Sequence, residues 1–260
     1  MFDAQSQKGA NERRVVLFWR STLLLVILGG WELYGRFIDA TWFSRPSLIF
    51  SRIWTMAGHG LAGHILTTLT EMAGGLMIGV PLGALLGLTL GRLPVTAGVV
   101  RPIIFGLYSV PLVTLAPLFI FWFGLDLTPK IVLVAIVTFF LLFFTTFAGV
   151  QTIDRELIDN YRLLGATRAE LLRKLIAPAC LAWILSGLKI ALPYSLIAAV
   201  VGEMLLARSG LGFLLMFASQ QIDMTGMFAA LVVLMVAGVM VGESVNLLER
   251  HIMRWRLLSV

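Results

Sequence analysis

Charged side chains are scarce in this sequence. Asp, Glu, Lys and Arg make up 13% of its 260 residues, whereas hydrophobic residues make up 59%. The mean hydropathy is +0.94, and the apolar share exceeds the roughly 45–50% of an ordinary soluble domain. This composition excludes a water-soluble globule. It also leaves little chain outside a membrane, so any bulky energy-converting domain must belong to another chain.

The sequence also lacks the motifs of nucleotide binding, disulfide formation and intramembrane catalysis. None of the four lysines follows a glycine, so the phosphate-binding loop G-x-x-x-x-G-K-[ST] is missing, and any ATP that drives the protein binds to another subunit. The single cysteine, Cys180, excludes a disulfide within the chain. The sequence also lacks a Ser/His pair, an H-E-x-x-H motif and paired aspartates in facing spans, which argues against an intramembrane enzyme.

The net charge of +6 would suggest a nucleic-acid partner for a soluble protein, but in a membrane protein basic residues first report orientation. We therefore expect no nucleic-acid binding. If the N-terminus is cytoplasmic, most of the twenty basic residues face the cytoplasm, including Arg254 and Arg256. This orientation places the following basic residues on the opposite side: Arg36, Arg45, Arg52, Lys130 and Arg208. The positive-inside rule thus predicts cytoplasmic N- and C-termini.

Six apolar stretches have the length of about 20 residues that a membrane-spanning helix needs. They cover residues 15–38, 65–90, 95–123, 131–150, 180–206 and 227–248. We predict an all-α integral membrane protein. It divides into an N-terminal helix with an outer interfacial segment, 1–60, and a transmembrane core, 61–260.

The outer segment begins at residues 45–47, the sequence Arg-Pro-Ser, and then shows apolar residues at helical spacing. These residues are Ile49, Phe50, Ile53 and Trp54. The pattern predicts a short helix lying in the membrane interface, with a plain connecting loop as the alternative.

Small residues form a stripe on two of the spans. The second span carries Gly75, Gly79, Gly83, Gly87 and Gly91, and the fifth carries Gly187, Ala191, Ser195, Ala198 and Gly202. Such stripes allow another helix to approach closely. We expect packing within one subunit; a subunit interface or a moving gate would give the same pattern.

Prolines interrupt three spans and are expected to bend their helices. They are Pro81 in the second span, Pro102, Pro111 and Pro117 in the third, and Pro193 in the fifth. Interrupted helices are tolerated in a membrane where protein or a water-filled path satisfies the backbone. The pattern therefore favours transport.

The longest predicted cytoplasmic loop, 151–178, has balanced charge and predicts a helical hairpin. One face of its first helix carries Leu157, Ile158, Tyr161 and Leu164. Gly165 can end that helix in a left-handed conformation. Thr167 and Glu170 have the spacing of a capping box that begins the second helix, and Pro178 marks the entry to the fifth span. The product is a compact projection suited to docking into a groove on a partner.

Gly165, Leu175, Ala177 and Pro178 also fall at the spacing of the cytoplasmic EAA motif, which belongs to permease subunits of bacterial ABC importers. Beyond about residue 42 the chain resembles the branch that handles nitrate, taurine, alkanesulfonates and related solutes. The matching segments are VPLVTLAPLFIFWFGLD at 110–126, LIDNYRLLGATRAEL at 157–171, and GLKIALPYSLIAAVVGEML and SGLGFLL between 187 and 215.

The chain departs from the motif in two places. Asp159, Asn160 and Tyr161 replace the signature Glu-Ala-Ala, and Ala177 replaces the leucine before the proline. The acid is kept, but Tyr161 adds bulk that would tune which ATPase fits. The resemblance implies that these ATPase-docking residues are Asp159, Asn160, Tyr161, Leu164, Gly165, Ala166, Thr167, Arg168, Glu170 and Pro178.

The resemblance further implies a type I ABC importer permease fold with six transmembrane helices and 151–178 as its coupling hairpin. It implies a multi-pass protein of the bacterial inner membrane, surrounded by lipid and paired with a second copy of itself. Its partners would be two ABC ATPase subunits, which carry ATP and Mg²⁺, and a periplasmic solute-binding protein. The chain itself would hold no cofactor or metal and catalyse no reaction.

Ionisable residues inside spans are costly and are candidates for function. Glu71, Lys189, Glu203 and Glu243 qualify. Lys189 and Glu203 lie about 21 Å apart along a helix at 1.5 Å per residue, so they do not pair with each other. We expect Lys189 to snorkel or to pair across helices in preference to binding solute. Glu203 either anchors the turn at 209–212 near the outer gate or faces the pathway.

By the family arrangement, polar pathway residues come from the third and fifth spans. The candidates for the pathway or gate are Tyr108, Ser109, Thr114, Tyr194, Ser195 and Glu203. Hydrogen bonding inside the bundle is the alternative role for each Tyr and Ser. His59 and His64 stand near the outer surface, but a metal site would need further ligands.

Two classes of function stay open. The first is the ABC importer permease, for a sulfonate, nitrate, aromatic carboxylate or pyrimidine-type solute. The second is a stand-alone secondary transporter driven by an ion gradient, which would also use broken helices and membrane carboxylates. The small size, the lack of an evident inverted repeat and the docking hairpin favour the first.

Overall fold

A computed structural model describes residues 2–38, 42–206 and 208–252, and the secondary structure in these ranges is helical. The helices are α1 (Phe2–Phe37), α2 (Pro46–Gly58), α3 (Leu61–Gly91), α4 (Pro94–Tyr108), α5 (Ala116–Phe123), α6 (Leu127–Gln151), α7 (Arg155–Leu163), α8 (Arg168–Leu171), α9 (Ala177–Leu206), α10 (Leu211–Gln220) and α11 (Met224–Ile252). A 3₁₀ turn covers Leu112–Leu115, and a π-helical segment covers Leu172–Ile176. Arg254 and Arg256, which entered the orientation argument, lie outside the described residues.

Four helical segments of the described chain are long and apolar enough to cross a membrane. They are Leu61–Gly91, Leu127–Gln151, Arg168–Leu205 and Met224–Leu247. These segments contain most of the second, fourth, fifth and sixth predicted spans. The first predicted span lies almost wholly within the long helix α1.

The third predicted span is not one helix. It is divided into α4, the 3₁₀ turn at Leu112–Leu115 and α5. The interruption begins just before Pro111, because proline has no amide donor and disfavours helical backbone in the residue that precedes it. Pro117 lies in the first turn of α5, where a missing amide costs nothing. The interruption that the prolines predict in the third span, 95–123, is therefore present.

Helix α6 occupies the centre of the fold, between α3 and α9. The glycine stripe of α3 faces it so closely that a Cβ on Gly87 would lie 2.8 Å from the carbonyl oxygen of Phe143. The stripe on α9 also faces α6, with Gly187 against Thr145 and Gly202 against Lys130. Both stripes thus serve packing within one subunit, as expected.

Residues after Arg45 form the predicted short helix, α2, with Pro46 in its first turn. Ile49 is buried, whereas Phe50 and Trp54 are exposed. Arg52 ties this helix to the turn before α11 through an ion pair of 2.6 Å with Asp223. The alternative of a plain loop was wrong.

Candidate coupling hairpin and buried polar cluster

The hairpin reverses direction at Gly165, which has a φ of +82°. Two hydrogen bonds close the end of α7: the Gly165 amide donates to the Arg162 carbonyl over 2.9 Å, and the Ala166 amide donates to the Tyr161 carbonyl over 3.0 Å. A Cβ on Gly165 would meet nothing within 4 Å. Glycine is therefore required for backbone conformation and not for space, which confirms the predicted left-handed end of the helix.

The predicted capping box begins the second helix of the hairpin. The Glu170 amide donates to Thr167 Oγ1 over 3.2 Å, and the Thr167 amide donates to Glu170 Oε2 over 3.1 Å. Lys174 adds an ion pair of 3.0 Å with Glu170. These reciprocal bonds satisfy backbone donors that a helix start otherwise leaves free.

This second helix does not stop before the fifth span. It passes from α8 through the π-helical segment into α9, where the Ala177 amide donates to the carbonyl of Leu172, five residues back. The wider turn lies directly before Pro178, which has no amide to donate and would crowd the carbonyl four residues earlier in a regular helix. The hairpin is thus joined to the membrane-spanning helix without a flexible loop.

The inner face of the hairpin packs against the membrane body. Ile158 and Tyr161 contact a buried cluster formed by Val150, Leu171, Ile176 and Cys180. The sequence placed Leu164 on the same face as Tyr161, and this was wrong, because α7 ends at Leu163 and Leu164 belongs to the turn. The ring of Tyr161 anchors the hairpin from its inner side.

The tip of the hairpin is apolar and open. Leu163 is 85% exposed and Leu164 is 86% exposed. Sequence reasoning did not select Leu163, although an apolar residue beside a left-handed glycine at a hairpin end is a usable signal. Asp159 and Asn160 are also exposed, with Arg162 3.3 Å from the Asp159 carboxylate. Ala166 and Arg168 instead line a cavity between the hairpin and the α3–α4 junction.

A second cluster joins four helices far from the hairpin. Lys130 on α6 forms an ion pair with Glu71 on α3, and both side chains are buried. The sequence predicts Lys130 on the outer side, just before the fourth predicted span, whereas α6 already begins at Leu127 and the lysine side chain is buried. No local pattern points to its partner, because Glu71 lies almost sixty positions earlier in the chain.

Glu203 on α9 completes this cluster. Its Oε1 accepts a hydrogen bond of 2.6 Å from Thr68 Oγ1, and its Oε2 accepts one of 2.7 Å from the Gly212 amide. Thr68 Oγ1 also accepts from the Leu211 amide over 2.9 Å. The expected bond between Glu203 and the 209–212 turn is confirmed, and it fixes the start of α10 against α3 and α9.

These features agree with one known family. Residues 79–254 match the family described as binding-protein-dependent transport system inner membrane component. The chain belongs to this family. It is thus an inner-membrane permease of a transport system whose members act with a solute-binding protein and a separate ATPase. The alternative of a stand-alone ion-coupled transporter is not favoured.

Individual relatives agree with this assignment. The permease is 32% identical to an aliphatic sulfonates transport permease, SsuC of Bacillus subtilis, over 92% of this chain and 88% of that protein. It is 30% identical to the formylaminopyrimidine transport permease ThiX of Halalkalibacterium halodurans, over 90% of this chain and 93% of that protein. A structure of the MetNI methionine ABC transporter in an inward-facing conformation superposes with a TM-score of 0.62 at 22% identity, covering 74% of this chain and 95% of that chain. This likeness shows a shared fold.

Other titratable groups of the permease have structural partners. Lys189 on α9 pairs with Glu249 on α11, which confirms the expected pairing across helices. His64 Nδ1 accepts a hydrogen bond of 3.0 Å from the Gly210 amide. Within the described ranges, no three His, Cys, Asp or Glu side chains come together as metal ligands.

The pathway candidates fall into two groups. Tyr108, Ser109, Thr114 and Tyr194 are exposed on the surface of the single chain. Tyr108 also packs against Phe140, with ring centroids 5.5 Å apart. Ser195 is fully buried and donates to the Leu192 carbonyl over 2.7 Å. Ser195 thus fits the alternative role, hydrogen bonding inside the bundle.

Proposed function

We propose that this permease forms, with a second copy of itself, the transmembrane pathway of an ATP-driven importer, and that the hairpin at 151–178 docks into a partner ATPase. The observation that carries the proposal is the hairpin's construction. Two exposed leucines, Leu163 and Leu164, lie at the hairpin tip, before the capped helix that continues into a membrane-spanning helix. Such a projection fits an apolar groove on a partner, and movement of that partner is then transmitted through the hairpin to α9.

In this proposal the termini are cytoplasmic, and the six predicted spans include α1 and the broken α4–α5 region. Residues 1–60 form the N-terminal unit, and residues 61–260 form the transmembrane core. Two ATPase subunits carry ATP and Mg²⁺, and a periplasmic binding protein delivers the solute. The sulfonate and formylaminopyrimidine permeases among the relatives favour a small polar organic solute.

The solute path runs along the exposed polar residues of the single chain, where the second copy would close the opposite wall. Tyr108, Ser109, Thr114 and Tyr194 are the proposed wall residues. Glu203 acts as a gate residue through the turn that it holds, because its carboxylate bonds to α10 and not to open solvent.

The proposal is tested by reconstituting the permease in liposomes with candidate ATPase and binding-protein partners. We expect uptake of a sulfonate or pyrimidine-type solute only when ATP and both partners are present. The matched control replaces the ATPase with a hydrolysis-deficient form. Uptake by the permease alone, without ATP, would contradict the proposal and restore the secondary-transporter alternative.

Replacing Gly165 by valine should uncouple the hairpin from the ATPase. The φ of +82° disfavours any β-branched residue, at a cost of roughly 1–3 kcal/mol, so the tip is expected to change conformation while membrane insertion is kept. The measurements are co-purification of the ATPase and solute-stimulated ATP hydrolysis, both expected to fall strongly. Gly165→Asn is the control, since asparagine tolerates the left-handed region and should retain most coupling. Normal coupling in the valine variant would contradict the docking role.

A further inference from the structure

A cavity of about 560 Å³ separates the hairpin from the α3–α4 junction, and the proposed solute pathway does not use it. We call it the arginine cavity. Its lining consists of Thr89, Arg92, Leu93, Arg162, Ala166, Arg168 and Leu171. The three arginines come from three places in the chain: the residue after α3, the last turn of α7 and the start of α8.

The arginine cavity has an excess of positive charge. Its lining includes no carboxylate. Arg162 forms an exposed ion pair of 3.3 Å with Asp159, and within the described ranges no carboxylate lies within 4.0 Å of Arg92 or Arg168. Like charges gathered around one space repel each other, and an anion between them removes that repulsion. Guanidinium groups bind phosphate oxygens through paired, charge-assisted hydrogen bonds.

Apolar surface continues from the cavity along the next helix. Leu93 lines the cavity and is 51% exposed, and Val95 and Val99 on α4 are exposed beyond it. A small free anion would not contact this apolar surface. An amphiphile, in contrast, can place its charged headgroup among the arginines and its hydrocarbon chain along Val95 and Val99. Basic pockets at the cytoplasmic ends of transmembrane helices suit phospholipid headgroups.

We propose that the arginine cavity binds the headgroup phosphate of an anionic phospholipid and that the lipid thereby ties the hairpin to the membrane body. This rests on the proposed cytoplasmic position of the hairpin. Arg162 and Arg168 belong to the hairpin, whereas Arg92 belongs to the membrane body, so one phosphate bridges two parts that ATPase docking must move together. The lipid then acts on coupling through the hairpin's own arginines, Arg162 and Arg168.

The test uses the full-length permease purified in mild detergent without its ATPase, so that lipid binding is measured independently of transport. Binding of phosphatidylglycerol and phosphatidylcholine is titrated by native mass spectrometry. We expect a preference for phosphatidylglycerol and about a fivefold weaker affinity in Arg92→Gln, since one arginine contributes about that factor near a membrane surface. Arg101→Gln is the control: Arg101 is an exposed arginine on α4 outside the cavity, beside the ring of Phe105.

The possible outcomes separate the sources of the anion. Preferred phosphatidylglycerol binding that weakens in Arg92→Gln and persists in Arg101→Gln supports the proposal. Equal loss in both variants, or equal binding of the two lipids, overturns it. Displacement of the lipid by millimolar inorganic phosphate also overturns it, in favour of a free-anion site, and displacement by the partner ATPase overturns it in favour of a protein contact. Thermal unfolding of each variant confirms that it is folded.

Discussion

Replacing Lys130 by methionine is expected to leave little folded permease in the membrane. The ammonium group of Lys130 is buried and pairs with Glu71, and Glu203 lies in the same cluster. Methionine preserves much of the side-chain volume but leaves two buried carboxyl groups without their cation. Breaking a buried ion pair by removing one partner costs about 3–5 kcal/mol, a large share of the stability of an ordinary domain. The measurements are the yield of monodisperse protein and its thermal unfolding.

A matched control is the same substitution at Lys189. Its pair with Glu249 is only partly buried, with 40% of the lysine side chain accessible, so its loss leaves a less completely buried charge and the effect should be smaller. The double variant Lys130→Met with Glu71→Gln should recover part of the stability, because the neutral amide removes one orphaned charge. Wild-type stability of Lys130→Met, or no gain in the double variant, would show that the cluster does not stabilise the fold.

The hairpin could be predicted from the sequence because its signals are local. Gly165 sets one backbone conformation, and Thr167 and Glu170 bond to each other's amides within a single turn. The bonds that define these features connect residues at most five apart in the chain. Glycine conformation and capping chemistry were therefore sufficient, and both predictions are confirmed.

The buried polar cluster could be predicted only in part. The bond from Glu203 to the 209–212 turn spans nine residues and was anticipated, whereas Thr68 lies 135 positions away from Glu203. The burial of Lys130 was not predicted, because a lysine at the end of an apolar run stays inside a helix bundle only where a carboxylate from another helix pairs with it. Periodicity within one span carries no information about such a partner.

The direction of individual side chains was the other feature that the sequence did not settle. Leu164 fits the apolar face of α7 by spacing, but the helix has already ended there and its side chain is exposed. Ser195 is polar and lies on a span expected to line the pathway, yet it is fully buried and donates to the Leu192 carbonyl of its own helix. In both cases the residue type was informative and its orientation depended on tertiary packing.

Replacing Gly79 by leucine should also prevent correct assembly of the fold, by separating α3 from α6. A Cβ at this position would lie 2.8 Å from Thr138 Cβ and closer still to the Ala135 carbonyl oxygen. Backbone atoms of a central helix cannot move aside as a flexible side chain can, so the helices must part. We expect a loss above the roughly 1–3 kcal/mol of ordinary overpacking, measured as reduced yield and thermal stability.

Gly63→Leu is the control for this prediction, since Gly63 lies in the same helix and a Cβ there meets nothing within 4 Å. It should leave the fold intact, because leucine favours a helix more than glycine does. Gly79→Ala should fall between the two, since it adds the single atom that already clashes with α6. A Gly79→Leu protein as stable as Gly63→Leu would mean that the stripe serves a looser contact, such as a moving gate. If stability instead falls step by step from Gly79→Ala to Gly79→Leu and is unchanged in Gly63→Leu, the stripe belongs to the rigid centre of one subunit. The hairpin and the turn before α10 are then held by this centre.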